Sequence, residues 1–294
     1  MGVKERDAQK ILQQGDLKHR LSRLFAVNLF WILVVFTGTG CVAQQRTLLA
    51  LSKADHTLAI VSASTLKVIS RIPVGPDPHE VIASPDGKRA YVSIYGGGSL
   101  HEINVIDLVA QKPLLTVDTR PLFGPHGLAF ADGKVWFSAE GSKAVGRYDP
   151  VTNKVDWCMG TGQDRSHMIY VTPDAKKIYT TNVNAGTVSI LTSQDRPSDG
   201  AHREWKQTVV PVSKGSEGFD VSPDGRELWT VSAGDGSIAV IDLATNKVSS
   251  TIDAKALGAN RLVFTPDGKR VLVSSLRAGN LYVFDVASHK KIKQ

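Results

Sequence analysis

A repeat of about 41 to 50 residues runs through most of the chain, and it restricts the possible folds more than any other feature. Each copy has an apolar run, a turn with a Pro-Asp-Gly sequence or a close variant, and a second run rich in aromatic and β-branched residues. Asp-Gly between two such runs predicts a β-hairpin. The five copies are "HEVIASPDGKRAYVS" from His79, "HGLAFADGKVWFS" from His126, "HMIYVTPDAKKIYT" from His167, "EGFDVSPDGRELWT" from Glu217 and "NRLVFTPDGKRVLVS" from Asn260.

A second half-motif follows in four of the copies and predicts two further strands. In each of these copies an aspartate stands five residues before a lysine, and the four aspartates are Asp107, Asp149, Asp242 and Asp285. An aspartate suits the start of a turn because its carboxylate can accept backbone N–H groups. One repeat therefore predicts four short antiparallel strands, which is a propeller blade. The fold class is all-β, a β-propeller of four-stranded antiparallel blades, with no helix longer than two turns after Gln44.

A sixth, incomplete copy precedes these five and corresponds to the first blade. Its sequence, "LLALSKADHTLAIVSASTLKVISRIPVG", predicts only the second, third and fourth strands of a blade, so the chain should contain 23 strands. Six blades are present, and the first lacks its innermost strand beside residues 48–51. We expect a truncated seven-bladed propeller whose closing segment is missing, and the alternative is a six-bladed ring with an incomplete first blade.

The repeats resemble those of the YncE-like, or YVTN-repeat, β-propellers of bacteria. The resemblance extends from Thr47 to the C-terminus and is carried by "SPDGKRAYVS", "TPDAKKIYTTN", "SPDGRELWTVS" and "IDLATNKV". It implies a propeller, typically with seven blades. It does not imply one function, because the same architecture serves lactonases, lyases, electron-transfer subunits and binding modules.

The first 43 residues differ from the repeats and are predicted to be an export signal. Residues 1–23 form a charged n-region with six Lys/Arg and three Asp/Glu, and residues 24–36, "LFAVNLFWILVVF", form a short apolar h-region. Small residues follow in "TGTGCVA", as at a cleavage site. Thirteen apolar residues are fewer than the roughly 20 that cross a bilayer. The predicted organisation is a signal at 1–43 and a propeller domain at 44–294, in a periplasmic or secreted protein.

Three outcomes of processing remain open. Cleavage after Ala43 would start the mature chain at Gln44. "GTGC" resembles a bacterial lipobox, although Gly38 stands where Leu or Val is usual, and would place a lipid on Cys41. An uncleaved signal anchor is the third outcome, so a membrane is expected to be a partner only through the anchor or the lipid. N-terminal sequencing of protein from the envelope fraction distinguishes the three.

Charge, cysteine content and motifs exclude several functions. Of the net charge of +7, the leader contributes +3, which leaves +4 for residues 44–294. Clustered Arg with interleaved aromatic residues is absent, so no nucleic-acid partner is expected. The chain has two cysteines, and one lies in the leader, so no intramolecular disulfide is expected in the propeller. No G-x-S-x-G, P-loop, H-E-x-x-H or C-x-x-C motif occurs, and no catalytic residue is assigned.

One position of the repeat concentrates polar side chains. At the start of each innermost strand stand His79, His126, His167, Glu217 and Asn260, and we refer to this position as the slot. Three of the seven histidines after residue 43 occupy it. Innermost strands line the central channel, so the five residues should ring one mouth, opposite the Pro-Asp-Gly turns. The slot predicts a site for a small molecule or peptide.

Loops that lead to the same mouth add charged groups. Arg120 and Arg165 precede two of the slot histidines and would hold an anionic ligand, since guanidinium groups pair with carboxylates and phosphates. The turn after the second strand of the third blade brings Glu140 to this mouth.

The slot also suggests a metal. Neutral imidazoles are ligands that Zn²⁺ and similar ions prefer, so His79, His126 and His167 are candidate ligands of a divalent metal. Glu217 would be a fourth ligand or a general base, and Asn260 would orient polar atoms. The leading hypothesis is an exported binding or scaffold propeller with this ligand site. The alternative is a metal-assisted lyase or lactonase-type enzyme that uses the same residues.

Overall fold

The structure is a computed structural model that describes residues 46–195 and 203–294. The predicted export signal, with Cys41 and Ala43, lies outside the described residues. Within them, the single short helix is a 3-10 turn at Gly96–Gly98. No helix in this part of the chain is long and apolar enough to cross a membrane.

The described residues form 23 strands in six antiparallel sheets. The first sheet contains β1 (Thr47–Ser52), β2 (Thr57–Ser62) and β3 (Val68–Pro73). The second blade contains β4 (Pro78–Ala83), β5 (Arg89–Ile94), β6 (Glu102–Asp107) and β7 (Lys112–Asp118). The third blade contains β8 (Pro125–Ala131), β9 (Lys134–Ala139), β10 (Ala144–Asp149) and β11 (Lys154–Gly160).

The last three blades follow the same order. The fourth blade contains β12 (Ser166–Val171), β13 (Lys177–Asn182), β14 (Thr187–Asp195) and β15 (Arg203–Pro211). The fifth contains β16 (Ser216–Val221), β17 (Glu227–Ser232), β18 (Ile238–Asp242) and β19 (Lys247–Ile252). The sixth contains β20 (Ala259–Phe264), β21 (Arg270–Ser275), β22 (Leu281–Asp285) and β23 (Lys291–Lys293). The six blades form a β-propeller, which confirms the predicted fold class.

Within the described residues the first blade lacks its innermost strand, as the sequence predicts. Its sheet has the order β1-β2-β3 and no fourth strand among the described residues. β1 contacts β4 in the way that the second strand β5 contacts the inner strand β8 of the following blade. The outer strand β3 likewise contacts the outer strand β7. The three strands are therefore the second, third and fourth of a blade.

The core lies between neighbouring blades. The second strands β5, β9 and β17 each contain five consecutive buried residues, because both faces of the sheet are covered. The clusters combine side chains of adjacent blades, as when Trp229 of the fifth blade packs with Phe264 and Phe284 of the sixth. Each blade thus buries its apolar faces only when its neighbours are in place.

Aspartates shape the turns as predicted. In four Pro-Asp type turns, one carboxylate oxygen accepts the backbone N–H two residues later at 3.1 Å, and these aspartates are Asp86, Asp174, Asp224 and Asp267. The aspartates of the second half-motif also accept backbone N–H groups of their own turns, and they are Asp107, Asp149, Asp242 and Asp285. These bonds fix the conformation of the turns, which lie at the opposite end of the strands from the slot.

A β-bulge lies at the slot in all five complete blades. In the third blade, Pro125 pairs with Ala139, whereas Leu128 pairs with Phe137, so three steps on β8 oppose two on β9. The other four inner strands shift register at the same point. The slot residue is the second residue of each inner strand and lies in the bulge. A bulge leaves one residue outside the regular ladder and redirects its side chain.

Buried hydroxyl groups opposite the bulge connect successive blades. Ser93 accepts the backbone N–H of Glu80 at 3.0 Å and donates to the carbonyl oxygen of His126 in the next blade at 2.8 Å. Ser138 accepts from Gly127 at 2.9 Å and donates to the carbonyl oxygen of His167. We call these groups the hydroxyl bridges.

The hydroxyl bridges end after the fourth blade. Thr181 accepts the N–H of Met168 at 3.4 Å and donates to the carbonyl oxygen of Glu217 at 2.9 Å. In the fifth blade Val231 stands at the equivalent position and has no hydroxyl group. The bridges therefore hold the carbonyl groups of three successive slot residues, but not that of Asn260.

Gly127 allows the inner strands of the third and fourth blades to approach closely. A Cβ atom at this position would lie 2.8 Å from the carbonyl oxygen of His167 and 2.9 Å from the backbone nitrogen of Ile169. These are backbone atoms of the next blade and cannot rotate away. We expect Gly127→Ala to lower the free energy of unfolding by about 1–3 kcal/mol, as overpacking does. Urea denaturation of the variant and the wild type measures the difference.

Gly160→Ala is the matched control. Gly160 lies in a strand, and nothing stands within 4 Å of a Cβ atom added there. Its free energy of unfolding should match that of the wild type. Equal stability of both variants would contradict the close approach at Gly127.

Candidate functional site at the channel mouth

The three slot histidines lie against one another at the channel mouth. The ring centroids of His126 and His167 are 3.7 Å apart, and those of His79 and His126 are 4.1 Å apart. Tyr95 packs edge-on to His126 at 5.1 Å. The consecutive blades thus bring the three imidazoles into one shared space, and none of them is bonded to a backbone carbonyl group among the described contacts.

His126 occupies the centre of this group and has no hydrogen-bond partner. Its exposed fraction is 0%, and within the described residues no group bonds Nδ1 or Nε2. Burial lowers the pKa of the His126 imidazole far below its usual value, with further lowering from His167 and His79. Each unsatisfied buried polar atom costs about 1–3 kcal/mol, so two such atoms on one ring call for a physical explanation.

His167 is bonded by a carboxylate on each side. Nδ1 lies 2.6 Å from Oε2 of Glu140, and Nε2 lies 3.1 Å from Oε1 of Glu217. A carboxylate can only accept, so both ring nitrogens donate and the ring is an imidazolium ion. Oε1 of Glu140 accepts from the Tyr95 hydroxyl group and from Nε of Arg165 at 3.3 Å.

The pKa values follow from this arrangement. Burial alone would lower the pKa of His167, but the hydrogen bonds to Glu140 and Glu217 outweigh burial and raise it. Burial would raise the pKa of each glutamate, whereas the hydrogen bond from His167 and the nearby positive charges lower it. Each shift favours the charged form of its group, so the imidazolium ion and the two carboxylates stabilise one another, an arrangement that can bind ions or transfer protons.

His79 faces a different set of groups. Its Nδ1 lies 2.9 Å from Nζ of Lys53, and Lys53 is also paired with Asp77 at 2.6 Å. An ammonium group can only donate, so Nδ1 is an acceptor and the ring is neutral. Burial, followed by the charge of Lys53, lowers the pKa of His79 to about 4.

Two arginines complete the rim of the mouth. Arg165 pairs with Glu140, and Arg261 of β20 pairs with Glu80 of β4. Arg261 also lies 3.7 Å from Glu217. The Arg261–Glu80 pair joins the inner strands of the sixth and second blades, which flank the incomplete first blade. Both arginines have side chains that are 36% exposed, so they remain accessible from solvent.

Two of the predicted site residues make no side-chain contact with this group among the described contacts. Arg120 is 62% exposed and binds its neighbour Asp118, with Nε 2.8 Å from Oδ2, rather than the slot. Asn260 is partly buried, and its backbone carbonyl oxygen accepts from Nη1 of the rim residue Arg261 at 2.9 Å. The other predicted residues, His79, His126, His167, Glu217 and Arg165, are brought together.

Several contributing residues went unrecognised in the sequence, although the repeat contains a signal for them. Lys53, Tyr95 and Glu140 each directly follow the second strand of their blade, and only Glu140 was singled out. Glu80 and Arg261 each directly follow the slot residue. Aligning the repeats at these two positions would have identified all five.

Three residues of the group have the geometry of metal ligands. One ligand atom from each of His126, Glu140 and His167 lies within 4.8 Å of the other two. His79 does not belong to this set. Glu140 and His126 come from the third blade and His167 from the fourth.

Clefts at the opposite end of the channel bring together fewer groups that could bind a ligand. One lies between turns of the fifth and sixth blades and is lined by Asp224, Asp267 and His289. Its carboxylates are already used, because Asp224 accepts from the Ser222 hydroxyl group at 2.6 Å, and Asp267 accepts from Thr265 at the same distance. The histidine mouth is therefore the stronger candidate.

Comparisons with known proteins support the fold. No protein-family model and no curated protein matches this sequence. Among solved structures, Kuenenia stuttgartiensis hydrazine synthase superimposes with a TM-score of 0.69 at 19% identity, covering 82% of this chain and 80% of that chain.

Two further solved structures are similar. A functionally unknown protein of Desulfotomaculum acetoxidans DSM 771 has a TM-score of 0.66 at 16% identity, covering 84% of this chain and 81% of that chain. A Bacteroides fragilis NCTC 9343 protein, provisionally named a 6-phosphogluconolactonase, has a TM-score of 0.63 at 16% identity, covering 81% and 76%. At these identities the likeness establishes the β-propeller fold alone, and membership of the YncE-like family stays a prediction.

The site predicts how stability depends on pH. The folded pKa values of His79 and His126 lie below the unfolded value of about 6.5, so acidification protonates the unfolded chain first and destabilises the fold. His167 has a raised pKa and acts oppositely, stabilising the fold below about pH 6.5 and losing this effect as the pH rises through its folded pKa. Two groups outweigh one, so the free energy of unfolding should fall from pH 7 to pH 5.

Urea denaturation at pH 5, 6, 7 and 8 measures this dependence. In His79→Gln, the slope of the free energy of unfolding against pH should decrease between pH 5 and pH 6.5, by an amount equivalent to at most one bound proton. The reason is that one of the two histidines with a lowered pKa is gone. A wild-type stability that is constant or rises from pH 7 to pH 5 would contradict the assignment.

Proposed function

We propose that this protein is an exported binding propeller that holds a small anionic molecule at the histidine mouth. The observation that carries the proposal is the convergence of four slot side chains, His79, His126, His167 and Glu217. His126 lies at their centre, and its buried ring nitrogens have no partner among the described residues. Structural histidines are normally hydrogen-bonded when buried. The two ring nitrogens of His126 are therefore available to bind a ligand.

The charge of the rim supports an anionic ligand. Lys53, Arg165 and Arg261 surround the mouth, with side chains 54%, 36% and 36% exposed. A guanidinium group has five N–H donors, and each arginine uses only some of them on glutamates. The remaining donors suit a carboxylate or a phosphate group. A peptide is the other class of ligand that this mouth would take.

The proposal of export is supported by the n-region and h-region of residues 1–36.

A thermal-shift panel of small carboxylates and phosphates tests the proposal. A ligand at 100 times its Kd stabilises the fold by about 2.7 kcal/mol, which raises Tm by about 5–10 °C for a domain of this size. Arg165→Gln should reduce the shift caused by any compound that binds. Arg120→Gln is the matched control, because that arginine is exposed and paired outside the mouth. A panel without any shift, or equal losses in both variants, would count against the proposal.

The second candidate function is a metal-assisted lyase or lactonase that uses the same mouth. It is favoured by the contact between Glu217 and His167, since a carboxylate and an imidazolium ion within hydrogen-bond distance can act as a base and an acid. Mass spectrometry of each binding compound after incubation with metal-supplemented protein distinguishes the two functions. Turnover that Glu217→Gln abolishes, while binding persists, would establish the enzyme. Recovery of every compound unchanged would favour the binding protein.

A further inference from the structure

We propose that His126, His167 and Glu140 bind one divalent transition-metal ion at the channel mouth. The inference rests on the proposed function, because it concerns the same site and adds the group that would help to hold the ligand. It replaces the ligand set expected from the slot alone, in which His79 took the place of Glu140.

The first observation is the donor set and its spacing. The three ligand atoms lie within 4.8 Å of one another. An ion bonded at about 2.0–2.2 Å to each atom would draw them together by small side-chain rotations. Two imidazoles and one carboxylate are the protein ligands of many catalytic zinc sites and of other transition-metal sites, and they leave a position open for a further ligand.

The second observation is independent of spacing. Both ring nitrogens of His126 are buried and have no partner among the described residues. A bound ion would satisfy one of the two nitrogens, which no described protein group does.

The surroundings distinguish Glu140 from His79 as the third ligand. Nδ1 of His79 accepts a hydrogen bond from the Lys53 ammonium group, so a cation already stands on that side of the ring. Glu140 is instead aligned by the Tyr95 hydroxyl group and by Arg165. Outer partners of this kind orient metal ligands.

An ion would change one interaction of the site. It would replace the hydrogen bond between His167 and Glu140 with two metal–ligand bonds, and the imidazole proton would pass to solvent. Glu217, bonded to the other nitrogen of His167, would keep the ring in place. Arg165 and Arg261 would remain beside the ion to bind an anionic molecule in its open position.

Titration calorimetry with Zn²⁺, on protein without a histidine tag, tests this site. We expect one ion per chain. Glu140→Gln removes one ligand with almost no change in shape and should weaken binding at least about tenfold, because even the loss of an outer partner weakens metal sites by about that factor. His126→Ala should do the same, and Tyr95→Phe should have a smaller effect. The visible spectrum of bound Co²⁺ gives a second readout of the coordination.

His79→Ala is the discriminating variant, and it should retain Zn²⁺ affinity within about twofold. His101→Ala, at a histidine paired with Asp118 outside the group, is the neutral control. Each variant is first checked for cooperative thermal unfolding without metal, and Glu140→Gln decides the matter if His126→Ala does not fold. Absence of Zn²⁺ binding, or unchanged affinity in Glu140→Gln, or a loss in His79→Ala equal to that in Glu140→Gln, would overturn the proposal.

The same samples separate this inference from the proposed function. Anion binding without Zn²⁺ binding would overturn the metal site and leave the binding protein standing. Zn²⁺ binding that Glu140→Gln weakens, with no anion bound in the presence or absence of the ion, would support the metal site and overturn the anionic ligand.

Discussion

The hydroxyl bridges are the interaction on which the mouth depends. The bulge in each inner strand adds one residue that the neighbouring strand does not match. In three blades the backbone groups freed by the bulge are bonded by the hydroxyl groups of Ser93, Ser138 and Thr181. Each hydroxyl group bonds the bulge of its own blade and the carbonyl oxygen of the slot residue in the next. The bridges thereby link adjacent blades at the channel and hold the backbone carbonyl groups of three successive slot residues. Gly127 allows the inner strands of the third and fourth blades to lie close together, because it has no Cβ atom between them.

This close approach explains the electrostatics of the mouth. Carboxylates and imidazoles that would be solvated on separate loops are instead half-buried beside one another, so each charge is balanced by a neighbour. Glu140 and Glu217 share the imidazolium ion of His167, and Glu80 and Asp77 are balanced by Arg261 and Lys53. His126 lies at the centre and is the exception, since burial keeps it neutral and none of the described neighbours bonds it. A fully buried polar side chain without a hydrogen-bond partner among the described residues is a reason to look for a ligand or a metal there.

The sequence predicted the blades, their strand count and the incomplete first blade, because hairpin turns and strand patterns are local. It also predicted that His79, His126 and His167 share one mouth, since a repeat places equivalent residues at equivalent points. It did not predict that the backbone carbonyl group of Asn260 would accept a hydrogen bond from Arg261. Its carbonyl group also has no hydroxyl bridge, because Val231 stands where the other blades have Ser or Thr. Likewise Arg120 has an aspartate two residues earlier, and this local partner keeps it outside the mouth.

The sequence by itself therefore determined the architecture and the position at which polar side chains collect, because both follow from a repeated local pattern. Only the tertiary structure decided which of those side chains are partners. The pairing of His167 with Glu140 and Glu217 joins three blades, and the Arg261–Glu80 pair joins residues 181 positions apart. Such contacts depend on how far each blade is rotated about the channel. That rotation is set by close packing between whole sheets, which no local pattern in the sequence encodes.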